Sequence, residues 1–349
     1  MTGLPSVTVC ALGGTIASSA DPGEGAAIRV SGADLLRSIP AAAAVAAVSV
    51  QTVRMVPSAD LRLADILDVR SAVQAAIADG AGGVVVTQGT DTLEETSYAL
   101  DLLTRFDEPI VFTGAMRNLS VPGTDAPANL LAAIRVAASP RARGTGVLVV
   151  MDDEIHLARH VRKRHTSATS TFGSPLAGPA GYVSEDRVRL LTKPDGRLHI
   201  PGIVGTQECR IAQVPTYFDD DGRLLAAVPG LGYQGLVLSA FGGGHVPAWL
   251  APVLSDICAQ IPVVLASRTN AGEVLRATYG YPGAEIDLIE RGLIASAGLD
   301  AAHSAVLLRL LLLAGVPRAD IGGYFEQALS AHGLVTIPRW PAGLLEPGA

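Results

Sequence analysis

Short apolar runs that stop abruptly at glycine and threonine constrain this chain more than any other feature. Residues 7–12 lead unbroken into Gly13-Gly14-Thr15, and residues 83–87, built on Val84-Val85-Val86, lead into Gln88-Gly89-Thr90-Asp91-Thr92. Runs of this length without polar alternation suit strands covered on both faces, the environment of a parallel sheet. Further runs at 109–113, 146–151, 235–240, 262–266 and 293–296 are separated by helix-like segments. That alternation predicts an α/β fold. Ligands of an open parallel sheet bind beyond the carboxyl ends of its strands, so both threonine loops fall where chemistry is expected.

Local signals refine the elements between the strands. Leu93, Ser97, Leu100 and Leu103 follow helical spacing, and Glu94 and Glu95 stand in the first turn, where the helix dipole favours negative charge. Thr124-Asp125-Ala126-Pro127 reads as a second helix start, with Asp125 as the cap and proline in the first turn. A length of 349 residues predicts about two domains. Periodicity lapses between 192 and 208, where Lys193-Pro194-Asp195-Gly196, Pro201-Gly202 and Gly205-Thr206 accumulate turn residues. We therefore expect a catalytic α/β domain over 1–195, a linker over 196–208 and a second α/β domain over 209–349.

Composition excludes several classes of function. With 49% hydrophobic and 17% charged residues the chain should be globular throughout. A net charge of −7 with no long basic tract argues against nucleic acid as a partner, the densest basic cluster being the local one at 159–165. Cys10, Cys209 and Cys258 form neither a Cys-x-x-Cys pair nor a zinc-like spacing. The N-terminus shows no charged segment followed by a long apolar one, which reads as cytoplasmic. The Ala-rich stretch at 40–50 and the Leu-rich run at 306–313 both fall short of the roughly 18 apolar residues of a membrane span, so both are expected in the core.

Glycines let a backbone turn sharply and bring its N–H groups close to a ligand, and threonines supply hydroxyls able to attack it. A hydroxyl nucleophile is the first expectation. Gly114-Ala115-Met116-Arg117 ends a third strand, and Val161-Arg162-Lys163-Arg164 follows a fourth. Together with Thr124-Asp125-Ala126-Pro127-Ala128-Asn129-Leu130 and the run 147–153, this ordered set resembles the bacterial-type L-asparaginase/glutaminase family from about residue 7 to residue 315.

The resemblance implies a larger N-terminal open-sheet α/β domain and a smaller C-terminal flavodoxin-like α/β domain. It also implies a homo-oligomer, dimer or tetramer, and a small-molecule amide substrate, with no metal or organic cofactor. Carried over by position, Thr15 matches the nucleophile of a flexible loop, and Thr90, Asp91 and Lys163 match a second, rigid catalytic group. Ser58 and Asp91 match positions that hold the α-carboxylate and α-amino groups of the substrate. Gly14 and Gly89 belong to the two substrate-binding loops, the Ala115 backbone meets the side-chain amide, and Glu285 aligns with an acid lent by a neighbouring subunit. Physically, an amide carbon needs a nucleophile, a proton acceptor and donors aimed at the developing oxyanion. Lys163 facing a desolvated threonine, with Arg162 and Arg164 adjacent, suits proton transfer.

Four positions depart from the family pattern. Residues 18–31 hold no tyrosine, although the turn-rich segment 18–25 still has the composition of a lid. Ala59 stands where a polar residue usually contacts the amino-acid end of the substrate, and Gln88 replaces a histidine. Phe241-Gly242-Gly243-Gly244-His245 replaces a segment that often carries an asparagine. Three rival readings remain: dinucleotide binding at Gly242-Gly243-Gly244, a metal held by His156 and His160 if that segment is helical, and a non-catalytic amino-acid-binding member of the family.

Overall fold

The computed structural model describes residues 3–20, 25–194, 196–203, 207–329 and 335–336. The chain divides into two compact units, Met1–Pro194 and Asp195–Ala349. In the first, one sheet is formed by β1 (Ser6–Ala11), β2 (Ala47–Thr52), β3 (Gly83–Thr87), β4 (Ile110–Thr113), β5 (Val147–Met151), β6 (Glu154–Leu157), β7 (Gly181–Ser184) and β8 (Arg187–Leu190). Their spatial order is β8-β7-β6-β5-β4-β3-β1-β2. The five strands from β2 to β5 run parallel, and β6, β7 and β8 add an antiparallel edge.

Register fixes what matters for function. Val7 to Ala11 pair with Gly83 to Thr87, and Val84 to Thr87 pair with Ile110 to Thr113, so β1, β3 and β4 end side by side. The order β2-β1-β3-β4-β5 reverses direction between β1 and β3, which makes their carboxyl ends a topological switch point, the place where open α/β sheets open a ligand crevice. Every residue of β3 is buried, in keeping with its unbroken valine run. Helices α1 (Leu93–Leu103) and α2 (Ala126–Ala137) return the chain between neighbouring strands.

The second unit is a parallel sheet of β9 (Ile211–Pro215), β10 (Gly235–Ala240), β11 (Val263–Ser267) and β12 (Ile294–Ala295), paired in that order. The Leu-rich run lies in α3 (Ala301–Leu313), capped by Asp300 through a 2.8 Å bond from the His303 N–H, and most of its leucines are buried. The Ala-rich stretch behaves otherwise. It forms a 3-10 turn, Pro40–Ala44, followed by β2, and only Ala42 and Ala46 of it are fully buried core residues. The strands that sequence patterning overlooked are β2, which alternates as an edge strand does, the polar β6, β7 and β8, and the half-buried β9. No helix among the described residues is long and apolar enough to cross a membrane.

Candidate active site

The two threonine loops meet backbone to backbone. The Leu12 N–H donates to the Thr87 carbonyl at 2.8 Å, and Gly13 and Gly14 then turn with φ of 95° and 81°. A Cβ on Gly14 would stand 2.0 Å from the Gly89 nitrogen and 2.3 Å from its Cα. Only a residue without a side chain permits that approach. Thr15 and Thr90 each follow one member of this glycine pair. Thr15 opens a one-turn 3-10 helix, Thr15–Ala17, and Ser18 ties it down by donating its hydroxyl to the Gly14 carbonyl at 2.8 Å.

A third segment closes against the same loops. The Val56 N–H donates to the Leu12 carbonyl at 3.1 Å, and a Cβ on Gly89 would meet the Ser58 Oγ at 2.7 Å. Buried Ser58 accepts the Asp91 N–H on its hydroxyl at 3.2 Å and the Thr92 hydroxyl on its carbonyl at 2.9 Å. Ala59, in the turn Ser58–Asp60, is exposed.

Lys163 reaches the second loop from the short antiparallel pair Arg162–Lys163 and Phe172–Gly173. Its backbone N–H donates to Glu94 Oε2 at 2.6 Å, which spends the first-turn carboxylate of α1 on holding the lysine in place. Its Nζ donates to Thr90 Oγ1 at 2.9 Å and to Asp91 Oδ1 at 2.6 Å. The lysine side chain is 16% exposed and that of Asp91 70%, so the cation lies mostly out of water while the carboxylate faces it. Arg162 and Arg164 follow the alternation of an extended chain away from Lys163, and the Arg164 guanidinium lies against Gly173. Of the basic cluster, Lys163 is the member that reaches the threonine, while Arg162 and Arg164 bond the carbonyls of Val161 and Phe172.

Sequence reasoning missed the groups that hold these loops still. Gln88, fully buried, donates Nε2 to the Gly89 carbonyl at 3.1 Å and accepts the Thr96 hydroxyl at 2.9 Å. Because the peptide is trans, fixing that carbonyl aims the Thr90 N–H the opposite way, as a preset donor. Asp125 stands at the N-cap of α2 but makes no side-chain cap bond. Its carboxylate accepts the Met116 and Arg117 N–H groups, each at 2.9 Å, and so shapes the loop that carries Ala115. Asn129 completes this loop by donating to the Gly114 carbonyl at 3.1 Å and to Asp125 at 3.0 Å. The visible signal was the i, i+4 placement of Asp125 and Asn129, which puts both on one helix face. Ala115 itself is fully buried, and a Cβ on Gly114 would stand 3.1 Å from the Thr90 methyl.

The sequence model described as "Asparaginase, N-terminal" matches residues 6–196, and the one described as "Glutaminase/Asparaginase C-terminal domain" matches residues 210–325. The chain belongs to the asparaginase family. A "Probable L-asparaginase" of Deinococcus radiodurans is 38% identical over 72% of this chain and 78% of its own length. A "Probable L-asparaginase periplasmic" of Haemophilus influenzae is 32% identical over 93% of both chains. Among solved structures, a "Probable Cytoplasmic L-asparaginase" from Campylobacter jejuni superposes with a TM-score of 0.82 at 26% identity, covering 93% of this chain and 99% of that one.

Other family-matched positions sit in settings of their own. The described parts of the lid segment form an antiparallel pair, Ser18–Ser19 with Ala27–Ile28, and residues 21–24 of the expected lid lie outside the described residues. Glu285 lies in the second unit, fully buried at the start of the helix Glu285–Glu290. Its Oε1 accepts the Thr278 and Tyr279 N–H groups at 2.9 and 2.7 Å, and its Oε2 is 3.0 Å from His245 Nε2. Burial alone would raise its pKa, yet these amide donors and His245 outweigh it and hold the carboxyl below its ordinary value.

The histidine pair proposed for a metal is not on a helix. His156 is in β6 and fully buried, and His160 is in the turn that follows. No group of three or more His, Cys, Asp or Glu able to hold a metal occurs among the described residues. His156 Nδ1 is 3.0 Å from Ser174 Oγ, and burial, aided by the charge of Arg164, pushes its pKa down to about 4. The unfolded chain therefore binds a proton near pH 6.5 that the folded chain refuses until about pH 4. Stability should fall as pH drops through that interval, by on the order of 3 kcal/mol in total. His156→Gln is expected to flatten this acid limb in urea unfolding measured between pH 7 and 4. An unchanged slope would assign the limb to other groups.

Proposed function

We propose that this chain hydrolyses the side-chain amide of L-asparagine, or of an asparagine derivative, to a carboxylate and ammonia or an amine through a threonine acyl-enzyme. The observation that carries the reading is the Lys163 Nζ contact to Thr90 Oγ1 at 2.9 Å, with Asp91 held on the same ammonium at 2.6 Å. Ser58 and Asp91 receive the amino-acid end of the substrate. Thr15 Oγ attacks the amide carbon, its proton passes to the departing nitrogen, and the carbonyl oxygen meets the preset Thr90 N–H. Water then attacks the Thr15 ester, with Thr90 and Lys163 moving its proton, and the free hydroxyl is restored.

The same reading takes the chain as a cytoplasmic homo-oligomer. The solved Campylobacter relative is described as a cytoplasmic enzyme, and the three cysteines are buried and free, which supports the compartment. The loan of Glu285 to a neighbouring subunit rests on the resemblance alone, since both its oxygens are already bonded within its own unit. The exposed Ala59 favours a second reading, a larger modified amide, because one polar contact to a free amino acid is absent.

A coupled ammonia assay on asparagine, glutamine and a panel of β-substituted aspartyl amides separates these readings. Turnover of asparagine is the expected result. Silence on free amino acids with turnover of a substituted amide would favour the second reading. Ligand binding without any turnover would overturn both in favour of a non-catalytic member.

A further inference from the structure

The last residue of β5 places a thioether beneath the loop that carries Ala115. The Gly114 N–H donates to Met151 Sδ at 3.3 Å, and the Asn129 side-chain amide and the Thr113 hydroxyl approach the same sulfur at 3.6 and 3.8 Å. Met151 is 1% exposed. A methionine that only fills a gap in a core meets carbon on every side, whereas this one meets three polar donors. A thioether is a weak acceptor, but a buried backbone N–H left without any acceptor costs free energy.

Three successive peptide groups of this loop are held from outside it. The Gln88 N–H donates to the Thr113 carbonyl at 3.1 Å, and Met151 takes the Gly114 N–H on the other side of the same peptide. Asn129 donates to the Gly114 carbonyl at 3.1 Å, and Asp125 accepts the Met116 N–H at 2.9 Å. A trans peptide points its N–H and carbonyl opposite ways, so these bonds turn the Ala115 N–H away from Asn129 and the Ala115 carbonyl away from Asp125. Ala115 is fully buried, yet neither of its backbone groups bonds to any described residue. A polar ligand would complete that pair. Gly114 also lies against the second threonine loop, where a Cβ on it would stand 2.8 Å from the Gln88 carbonyl oxygen and 3.1 Å from the Thr90 methyl.

We propose that Met151 is a positioning residue for amide hydrolysis: its sulfur, as acceptor of the Gly114 N–H, holds the backbone that aims the Ala115 N–H and carbonyl at the side-chain amide of the substrate. This role rests on the amide-hydrolase reading, which names the ligand. Met151→Leu keeps the volume and removes the acceptor. With asparagine, or the substituted amide that the wild-type chain turns over, KM should rise about tenfold and kcat stay within about threefold, because backbone contacts made alike in ground and transition state are weakened together. Hydrogen–deuterium exchange of the full chain, read by mass spectrometry, should be faster in the peptide that contains Gly114. Met151→Ile, a residue suited to strands, carries the same expectations should the leucine variant misfold. Wild-type KM or wild-type exchange in a folded variant would overturn the proposal, and so would a loss confined to kcat. A wild-type chain that turns over no amide would instead defeat the functional reading, and the exchange comparison would still tell whether the sulfur holds the loop.

Discussion

Thr15→Ala is expected to lower ammonia release from asparagine by about 10³-fold or more while the protein still binds asparagine or aspartate. The hydroxyl stands one residue past the Gly14–Gly89 contact, and its removal leaves Ser58, Asp91 and the Thr90–Lys163 pair untouched. Binding by calorimetry and turnover by the coupled assay should therefore separate. Thr90→Val should produce a comparable loss by a different route, because it empties the acceptor of Lys163 Nζ and leaves that mostly buried cation with Asp91 alone. Groups that act on one reaction as a unit are not additive, so the double variant should be little worse than either single one. Retention of near-normal turnover by Thr15→Ala would remove it as the nucleophile and leave Thr90 as the remaining candidate hydroxyl.

The largest effect on stability is expected from Gly14→Ala. At φ 81° and ψ −172° the backbone is in a region that essentially only glycine adopts, and the added methyl would overlap the Gly89 nitrogen at 2.0 Å. Both partners of the clash are backbone, so no rotamer relieves it. Strain and overpacking together should cost about 3–5 kcal/mol, or a fall in Tm of roughly 10 °C for a unit of this size, and the displaced loops should also abolish turnover. Gly323→Ala is the control. A Cβ there meets nothing within 4 Å in the middle of the helix Arg318–Leu329, so that change should be neutral or slightly stabilising. A thermal melt of Gly14→Ala indistinguishable from that of Gly323→Ala would mean that the loops do not meet as described.

The organisation of the loops explains why these two substitutions reach so far. Each catalytic candidate is placed by a neighbour with no chemical role of its own: Thr15 and Thr90 by the glycine pair, Lys163 by Glu94, the Gly89 peptide by Gln88, and the Ala115 loop by Asp125 and Asn129. Loops held at both ends by hydrogen bonds from rigid helices are suited to fixed donors, and fixed donors are what a developing oxyanion rewards. Asp91 is the exception in exposure. Its open carboxylate can pair with the lysine and still face a ligand.

The alternation of valine-rich runs with amphipathic segments, and the glycine–threonine loops that end those runs, were enough to specify a parallel α/β architecture and the strand ends that carry the candidate site. Both follow from near-neighbour physics: the period of side chains, the freedom of glycine and the reach of a hydroxyl. Strands β6, β7 and β8 escaped because they are four residues each and only partly buried, so none carries the continuous apolar run that marks the central strands. The caps and clamps escaped because a carboxylate at a helix start has two uses, and only the tertiary partner decides between them. Asp125 bonds a loop and Glu94 bonds a lysine 69 residues away, and local signals alone assign both to their own helices. His156 and His160 look like a helical pair in sequence and lie in a strand and a turn in space. Only the fold sets Gly14 against Gly89 and brings Lys163 to Thr90, 73 residues away in the chain, because strand order and register, which no local interaction specifies, decide which loops meet.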